Sequence, residues 1–170
     1  WSADTARGGR RWAAVLSESG SWLGRVLGAG VNLSCRQGRG LPLGKVDQVQ
    51  LEQVLINLAV NGRDAMRGAG ELTIATKLAE VGDTVGTALE PMPAGKYVQI
   101  DVVDEGSGID REHLARIFEP FFTMKTRGTG LGLAVTRRIA REHGGDVVYR
   151  ARPAGGSRFL LSIPLEPTRP

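Results

Sequence analysis

Hydrophobic and polar residues follow two different periods along this chain of 170 residues. Strand-like alternation occurs at 31–37, 71–77, 96–103, 146–151 and 157–165. Helix-like spacing occurs at 17–27, 48–66 and 131–143, and a shorter helix capped by Asp110 is predicted at 111–118. Separate strands with long helices between them predict an α/β two-layer sandwich, in which one mixed β-sheet is covered on one face by helices.

The predicted domain does not include the two ends of the chain. Residues 1–15 contain Gly-Gly and several arginines with little periodicity, which predicts a linker or junction before a domain at 16–166 and a tail at 167–170. Because the chain starts at Trp1, we expect it to be a fragment of a longer protein. The one cysteine excludes an internal disulfide, and the alternation of Val31, Leu33 and Cys35 predicts a buried strand thiol.

Composition and charge exclude several classes of protein. A hydrophobic fraction of 41% and a charged fraction of 24% are ordinary for a globular domain. No apolar run reaches the length of a membrane span and no signal peptide is present, so we expect a cytoplasmic domain without direct membrane contact. The net charge of +4 comes with scattered arginines rather than a dense basic run, and we predict no nucleic-acid binding.

The helix at 48–66 carries the first candidate chemistry. Asp47 followed by Gln50 is typical of a helix start, and apolar residues cover most of the helix circumference, which predicts burial. Gln53, Asn57, Asn61 and Asp64 nevertheless form one polar stripe along it. A buried amide without partners costs about 1–3 kcal/mol, so the stripe needs a polar site to face, unless it is a partly exposed helix edge.

Two glycine-rich turns follow in the chain. Asp104 ends a strand just before Gly106, Gly108 and Ile109, and its carboxylate could accept a hydrogen bond from the amino group of adenine; an ordinary Asp-x-Gly turn is the alternative. The second turn opens the helix at 131–143, where backbone N–H groups can bind phosphate, and contains Gly128, Thr129, Gly130, Leu131, Gly132 and Leu133. Neither turn matches the P-loop or the dinucleotide-binding fingerprint.

Between the turns lies a short polar segment at 123–128, a candidate lid. Its Lys125 and Arg127 could neutralise a γ-phosphate, and the amide oxygen of Asn61 suits Mg²⁺. Phe118, Phe121 and Phe122 are most simply core or hinge residues, with base stacking as the alternative. The two histidines, His113 and His143, are predicted on helix surfaces and not as catalytic groups.

These motifs together resemble the ATP-binding catalytic domain of two-component sensor histidine kinases, in the superfamily shared with gyrase, mismatch-repair and heat-shock chaperone ATPases. The N box corresponds to 53–66, the first glycine box to 104–108, the F box to 118–122 and the second glycine box to 128–133. The resemblance implies the Bergerat fold, Asn61 as the magnesium ligand with Asn57 beside it, and catalytic roles for these two and Lys125. It also implies nucleotide contacts from Asn61, Asp64, Asp104, Gly106, Gly108, Ile109, Phe118, Lys125, Arg127, Gly128, Thr129, Gly130, Leu131, Gly132 and Leu133.

The implied activity is binding of Mg-ATP and donation of its γ-phosphate to a histidine on dimerisation helices absent from this chain, for onward transfer to a response regulator. The alternatives are an ATP-hydrolysing gate, an anti-sigma-type serine kinase and a nucleotide-sensing scaffold. Three departures stand out: a short lid, Gly62 where alanine is typical, at about 1 kcal/mol of helix propensity, and no helix like the phosphoacceptor helix. We therefore expect little activity from the chain alone.

Overall fold

The computed structural model describes residues 10–44, 46–82 and 92–165. In chain order its elements are β1 (Arg10–Arg11), α1 (Trp12–Leu27), β2 (Val31–Arg36), β3 (Leu43–Gly44), α2 (Gln48–Ala65), β4 (Gly70–Val81), β5 (Gly95–Asp104), a 3₁₀ turn (Arg111–His113), α3 (Gly132–Glu142), β6 (Asp146–Ala151) and β7 (Ser157–Pro164). No helix in the described part of the chain is both long and apolar enough to span a bilayer.

Five strands form one mixed sheet in the spatial order β2-β4-β5-β7-β6. The β2–β4 pair is parallel and the other three pairs are antiparallel, while β1 and β3 form a separate small ribbon. The helices pack on one face of the sheet, where alternate β5 residues, Val98, Ile100 and Val102, join the core. This arrangement confirms the predicted two-layer α/β sandwich.

Helix α1 begins five residues earlier than the predicted start at 17. Trp12 is 1% exposed and Val15 is fully buried, and both join the core together with Leu23. The apolar spacing of the helix starts at Trp12, but the arginines and glycines that precede it favoured a linker in the sequence prediction. Residues 12–15, assigned from the sequence to the linker, therefore belong to the packed helix; residues 1–9 and 166–170, which hold most of the predicted linker and tail, lie outside the described residues.

Helix α2 confirms the predicted bounds and cap. The Asp47 carboxylate accepts the N–H of Gln50 at 3.1 Å, as expected for an N-cap. Leu51, Val54, Leu55 and Leu58 are buried in the core. The expected burial around most of the helix is too broad, because Val49 in its first turn is 74% exposed.

Two further elements differ from the sequence predictions. Strand β4 runs on to Val81, into the predicted loop at 78–95, because it pairs with β5 from Leu72 to Val81. Residues 83–91 of that loop lie outside the described part. In place of the predicted helix at 111–118 there is one 3₁₀ turn, followed by turns in which the N–H of residue i+3 donates to the carbonyl of residue i. The Asp110 side chain makes no cap hydrogen bond. Pro120 disfavours helical backbone at the residue before it, and a helix this short is marginal without tertiary packing.

Cys35 is exposed rather than buried. It lies near the end of β2, an edge strand of the sheet. Gly20 of α1 lies against its Sγ atom, and a glycine covers little of the thiol. The alternating pattern correctly places Cys35 on the helix-facing side of the strand, but the helix has no side chain there to cover it.

Candidate functional site

A cavity of about 780 Å³ opens between α2, the turn after β5, the segment 122–130 and the start of α3. This volume lies within the range of sites that bind small molecules and cofactors. It brings together most of the side chains predicted from the four motifs, which are far apart in the chain. The predicted residues that line it are Asn57, Asn61, Asp64, Asp104, Gly108, Ile109, Lys125, Arg127, Gly128, Thr129, Gly130, Gly132 and Leu133.

Three predicted site residues do not line the cavity: Gly106, Phe118 and Leu131. Gly106 packs on the end of α2, where a Cβ atom would lie 2.6 Å from the carbonyl carbon of Ala65. This glycine therefore permits the close approach of the turn to the helix instead of contacting a ligand. Leu131 is 38% exposed at the N-cap of α3.

Phe118 and Phe122, the two ends of the F box, have different surroundings. The Phe118 ring lies beneath the guanidinium of Arg137, 4.9 Å from ring centroid to Cζ. Phe122 lines the cavity and carries Arg116 over its other side at 4.5 Å. Of these two rings, only Phe122 is placed to contact a bound molecule.

Asp104 is fixed through one carboxylate oxygen. It is 4% exposed, and its Oδ1 accepts the N–H groups of Gly106 at 2.8 Å and Ser157 at 3.3 Å. Burial raises the pKa of Asp104, and these two N–H groups and the charge of Arg152 oppose the rise. In the described part of the chain no hydrogen bond reaches Oδ2, so Asp104 can offer this oxygen to a donor in the cavity.

The β6–β7 hairpin supports this end of the cavity through residues that the sequence analysis missed. The Tyr149 hydroxyl accepts the N–H of Ile109 at 3.1 Å, and Arg152 donates to the Asp104 carbonyl at 2.8 Å. Ser157 contributes its N–H to Asp104 and lines the cavity. No local motif marks these three residues, because they reach the site only through the pairing of β7 with β5.

The polar stripe of α2 lies along the opposite wall. Gln53 donates to the Asn57 amide oxygen at 3.1 Å, and Asn57 in turn donates to the carbonyl of Gly132 at 3.2 Å. The stripe is thus not merely an exposed helix edge: it lines the cavity and joins α2 to the first residue of α3.

The lid lysine closes over the far end of the stripe. The Lys125 ammonium donates to Asn61 Oδ1 at 2.9 Å and to Asp64 Oδ2 at 2.7 Å. Burial raises the pKa of Asp64, but hydrogen bonds and positive charge from Lys125 and Arg63 outweigh this effect and hold the pKa below its ordinary value. The two oxygens of Asn61 and Asp64 therefore form a pair that binds a cation.

The second glycine turn leads directly into α3, whose first N–H groups lie beside the cavity. Thr129 Oγ1 accepts the N–H of Leu131 at 3.4 Å, and the Phe121 N–H donates to the Gly130 carbonyl at 2.9 Å. Phe121 adopts a φ of 68°, in the left-handed region, and is 76% exposed. A helix N-terminus with Arg127 nearby favours an anionic group at this end.

The comparisons with known proteins agree with this geometry. The family model described as histidine kinase-, DNA gyrase B- and HSP90-like ATPase matches residues 46–167, most of the chain. The chain belongs to this ATPase family. The match spans α2, the cavity, the lid and the β6–β7 hairpin.

Within this ATPase family, the chain is similar to sensor histidine kinases. It is 38% identical over 152 residues to the sensor kinase CckA of Brucella abortus (strain 2308), covering 88% of this chain and 16% of CckA. It is 38% identical over 129 residues to the sensor histidine kinase ZraS of Escherichia coli (strain K12), covering 76% of this chain and 24% of ZraS. The chain thus spans a quarter or less of the length of these two relatives.

Solved structures show the same fold. The catalytic domain of histidine kinase ThkA superposes with a TM-score of 0.72 at 27% identity, covering 94% of this chain and 96% of that domain. Full-length ShkA in complex with AMPPNP superposes with a TM-score of 0.70 at 23% identity, covering 96% of this chain and 32% of ShkA. The chain is therefore an ATP-binding catalytic domain of the histidine kinase type.

Proposed function

We propose that this domain binds Mg-ATP and donates the γ-phosphate to a histidine on separate dimerisation helices, for onward transfer to a response regulator. The observation that carries the proposal is the layout of one cavity. The Asp104 carboxylate, held by backbone N–H groups, lies at one end of the cavity. The oxygens of Asn61 and Asp64, the Lys125 ammonium and the N-terminus of α3 lie at the other end. A nucleotide presents a base and a polyphosphate with matching chemistry.

Asp104 is the group that selects the base. With Oδ1 held by two backbone N–H groups, Oδ2 is the acceptor that would receive the exocyclic amino group of adenine. Guanine presents a carbonyl oxygen at the same edge and would meet a carboxylate oxygen instead. Preference for ATP over GTP follows from this one contact.

The donor set near α2 is suited to magnesium. Asn61 and Asp64 offer oxygen ligands, which this hard cation prefers, and they already bind the ammonium of Lys125. Asn61 would hold the ion, with Asn57 next to it on the same face. Bound magnesium would neutralise phosphate charge during transfer.

Lys125 and Arg127 supply positive charge on the lid, and the backbone of 128–132 with the start of α3 supplies N–H donors. Phosphoryl transfer depends mainly on positioning and charge neutralisation, so these groups suffice to bind and orient the triphosphate. The acceptor must then come from outside. His143 is held between the Ile139 carbonyl and the Asp47 N–H, and His113 packs against Phe122.

The alternatives have less support from the residues. Efficient hydrolysis would need a carboxylate where the chain has Asn57, whose amide donates to the Gly132 carbonyl. The relatives CckA and ZraS are named sensor kinases, and ShkA was solved with the nucleotide AMPPNP. The name of ZraS supports histidine rather than serine as the acceptor. The need for ATP supports a cytoplasmic location for the domain.

The test is phosphotransfer to a supplied partner. The domain is mixed with the dimerisation helices of its parent kinase or of a close relative and with ATP labelled on the γ-phosphate. We expect acid-labile, base-stable phosphate on the helices, lost when their acceptor histidine is changed to glutamine or when Asp104→Asn is used. Acid-stable phosphate on serine, or release of free phosphate without transfer, would contradict the proposal.

A further inference from the structure

The Lys125 ammonium lies between two side-chain oxygens of α2, in a position suited to a cation. It lies 2.9 Å from Asn61 Oδ1 and 2.7 Å from Asp64 Oδ2, although 61 residues separate Lys125 from Asp64 in the chain. Both partners come from one helix face of α2, so the lid is tied to the rigid wall of the cavity. The lysine thus stands where a metal ion bound by Asn61 would stand.

Asp64 is oriented for this contact from its other side. Its Oδ1 accepts from Nε and Nη2 of Arg63 at 3.2 and 3.1 Å, while Arg63 Nη1 donates to the carbonyl of Val26 near the end of α1. A chain of contacts therefore leads from α1 through Arg63 to Asp64, which directs Oδ2 toward the lid. Both Asp64 oxygens are engaged by protein groups, so its role in this state is to hold Lys125.

The lid at 123–128 is a compact turn closed by its own hydrogen bonds. Thr123 Oγ1 accepts the N–H of Lys125 at 3.1 Å, and the Gly128 N–H donates to the Lys125 carbonyl at 3.2 Å. The Lys125 and Asp64 side chains are 43% and 35% exposed, so water can compete for their contact. Such an ion pair is weak enough to exchange readily.

We propose that Asp64 is a positioning residue that latches the lid in the nucleotide-free protein by holding the Lys125 ammonium over Asn61, so that a divalent cation and the lysine compete for the same oxygens. Cation entry then releases the lid lysine, which becomes available to the phosphates. The divalent cation at Asn61 and the release of the lysine to the phosphates both rest on the proposed function. The contact of Lys125 with Asp64 does not, and it can be measured in the absence of nucleotide.

The first experiment uses NMR to monitor fast amide hydrogen exchange in the lid, in the absence of nucleotide. Asp64→Asn, Lys125→Met and the double variant are compared with Glu52→Gln, which removes a carboxylate from α2 away from the lid. We expect exchange at 123–130 to rise about two- to five-fold in either single variant, as for a partly exposed ion pair. The double variant should show no further rise, and Glu52→Gln no change.

The second experiment counts bound Mn²⁺ alone by electron paramagnetic resonance. Lys125→Met should bind Mn²⁺ more tightly than the wild type by a factor of about three or more, because the competing ammonium is gone. Arg127→Met removes an equal charge from the same lid and should give a smaller gain. Asp64→Asn should give none, because it removes the negative charge that attracts the ion together with the latch.

Three results would overturn the latch: unchanged lid exchange in Asp64→Asn, fully additive effects in the double variant, or equal Mn²⁺ gains in Lys125→Met and Arg127→Met. Both readouts lack nucleotide, so they remain decisive if ATP fails to bind. A confirmed latch without ATP binding would remove the proposed function and leave the latch in place.

Discussion

At the scale of single residues, Asp104 combines a stability cost with its proposed role in recognising the base. Its carboxylate is 4% exposed and accepts only backbone N–H groups, so burial of its charge is incompletely compensated. The raised pKa of Asp104 expresses this cost. A buried carboxylate with a perturbed pKa beside a cavity is a candidate for ligand binding, which supports the proposed role of Asp104.

Asp104→Asn should therefore separate stability from binding. The asparagine oxygen can still accept the two N–H groups, but an NH₂ group would replace Oδ2 and oppose the amino group of adenine. We expect ATP affinity to fall by about 30-fold or more, as for loss of a hydrogen bond to a charged group. Calorimetric titration of the variant measures this loss, and unchanged affinity would show that Asp104 does not read the base.

The stability difference between the wild type and Asp104→Asn should depend on pH. The folded pKa of Asp104 is raised above the ordinary value of 3.8, so the folded state binds this proton more tightly than the unfolded state does. The wild type should lose stability relative to Asp104→Asn as pH rises from about 3.8 through the raised folded pKa, and the difference should then level off. Melting temperatures of both proteins across this range test it; a difference of opposite sign would contradict it.

Two glycines explain how α2 comes so close to Asp104. A Cβ atom on Gly62 would lie 2.7 Å from Leu72 Cδ1 and 3.2 Å from Asp104 Cβ. Glycine at position 62 costs about 1 kcal/mol of helix propensity. It also lets α2 pack closely beneath the end of β5. Gly106 makes the corresponding approach to Ala65 from the turn.

Gly106→Ala should destabilise the domain by about 1–3 kcal/mol, because the new methyl group would meet the Ala65 backbone rather than a flexible side chain. Gly24→Ala is the matched control, since a Cβ there meets nothing within 4 Å and the residue lies in α1. The control should gain about 0.5–1 kcal/mol from helix propensity. Urea unfolding of both variants measures the difference, and similar effects of the two changes would refute the packing argument.

At the scale of elements, α3 connects the end of the cavity at Gly132 with the sheet. Arg137 on this helix donates to both oxygens of Asp146 in β6, at 3.0 and 3.2 Å, and its guanidinium covers Phe118. At the other end of the helix, His143 receives the N–H of Asp47, the cap of α2. These contacts fix the direction in which the first N–H groups of α3 point.

Arg137→Ala should cost about 1–3 kcal/mol of stability, because it leaves the largely buried Asp146 carboxylate without its bidentate partner. Arg137→Lys should recover part of this through charge alone. Arg138→Ala removes an exposed partner of Glu142 on the same helix and should cost at most about 0.5 kcal/mol. Thermal unfolding of the three variants distinguishes them, and equal losses for Arg137→Ala and Arg138→Ala would exclude the anchoring role.

At the scale of the whole molecule, the parts predictable from the sequence are those with local causes. The cap at Asp47, the spacing of Asn57 and Asn61 along one helix face and the turns that contain the glycines all depend on neighbours in the chain, and the structure contains them. Within these turns, Gly106 and Leu131 do not line the cavity as predicted. Tyr149 and Arg152 could not be predicted, because their contacts require β6 and β7 to pair beside β5.

The predicted element boundaries are wrong where tertiary packing overrides the local preference of the sequence. Trp12 starts α1 because the core accepts its indole, although the residues before it resemble a linker. Phe118 turns toward Arg137, and no pattern within the F box distinguishes it from Phe122. The two-layer fold followed from the order of helices and strands, whereas the position of the Phe118 ring depends on its contact with Arg137 of α3.

The central claim, that the cavity is an adenine-nucleotide site, is tested most directly by calorimetric titration of the wild-type chain with ATP and with GTP in the presence of Mg²⁺. Binding of ATP with GTP weaker by about 100-fold or more is the predicted result, because guanine would set a carbonyl oxygen against the Asp104 carboxylate. Equal affinities, or no binding of ATP, would contradict the account.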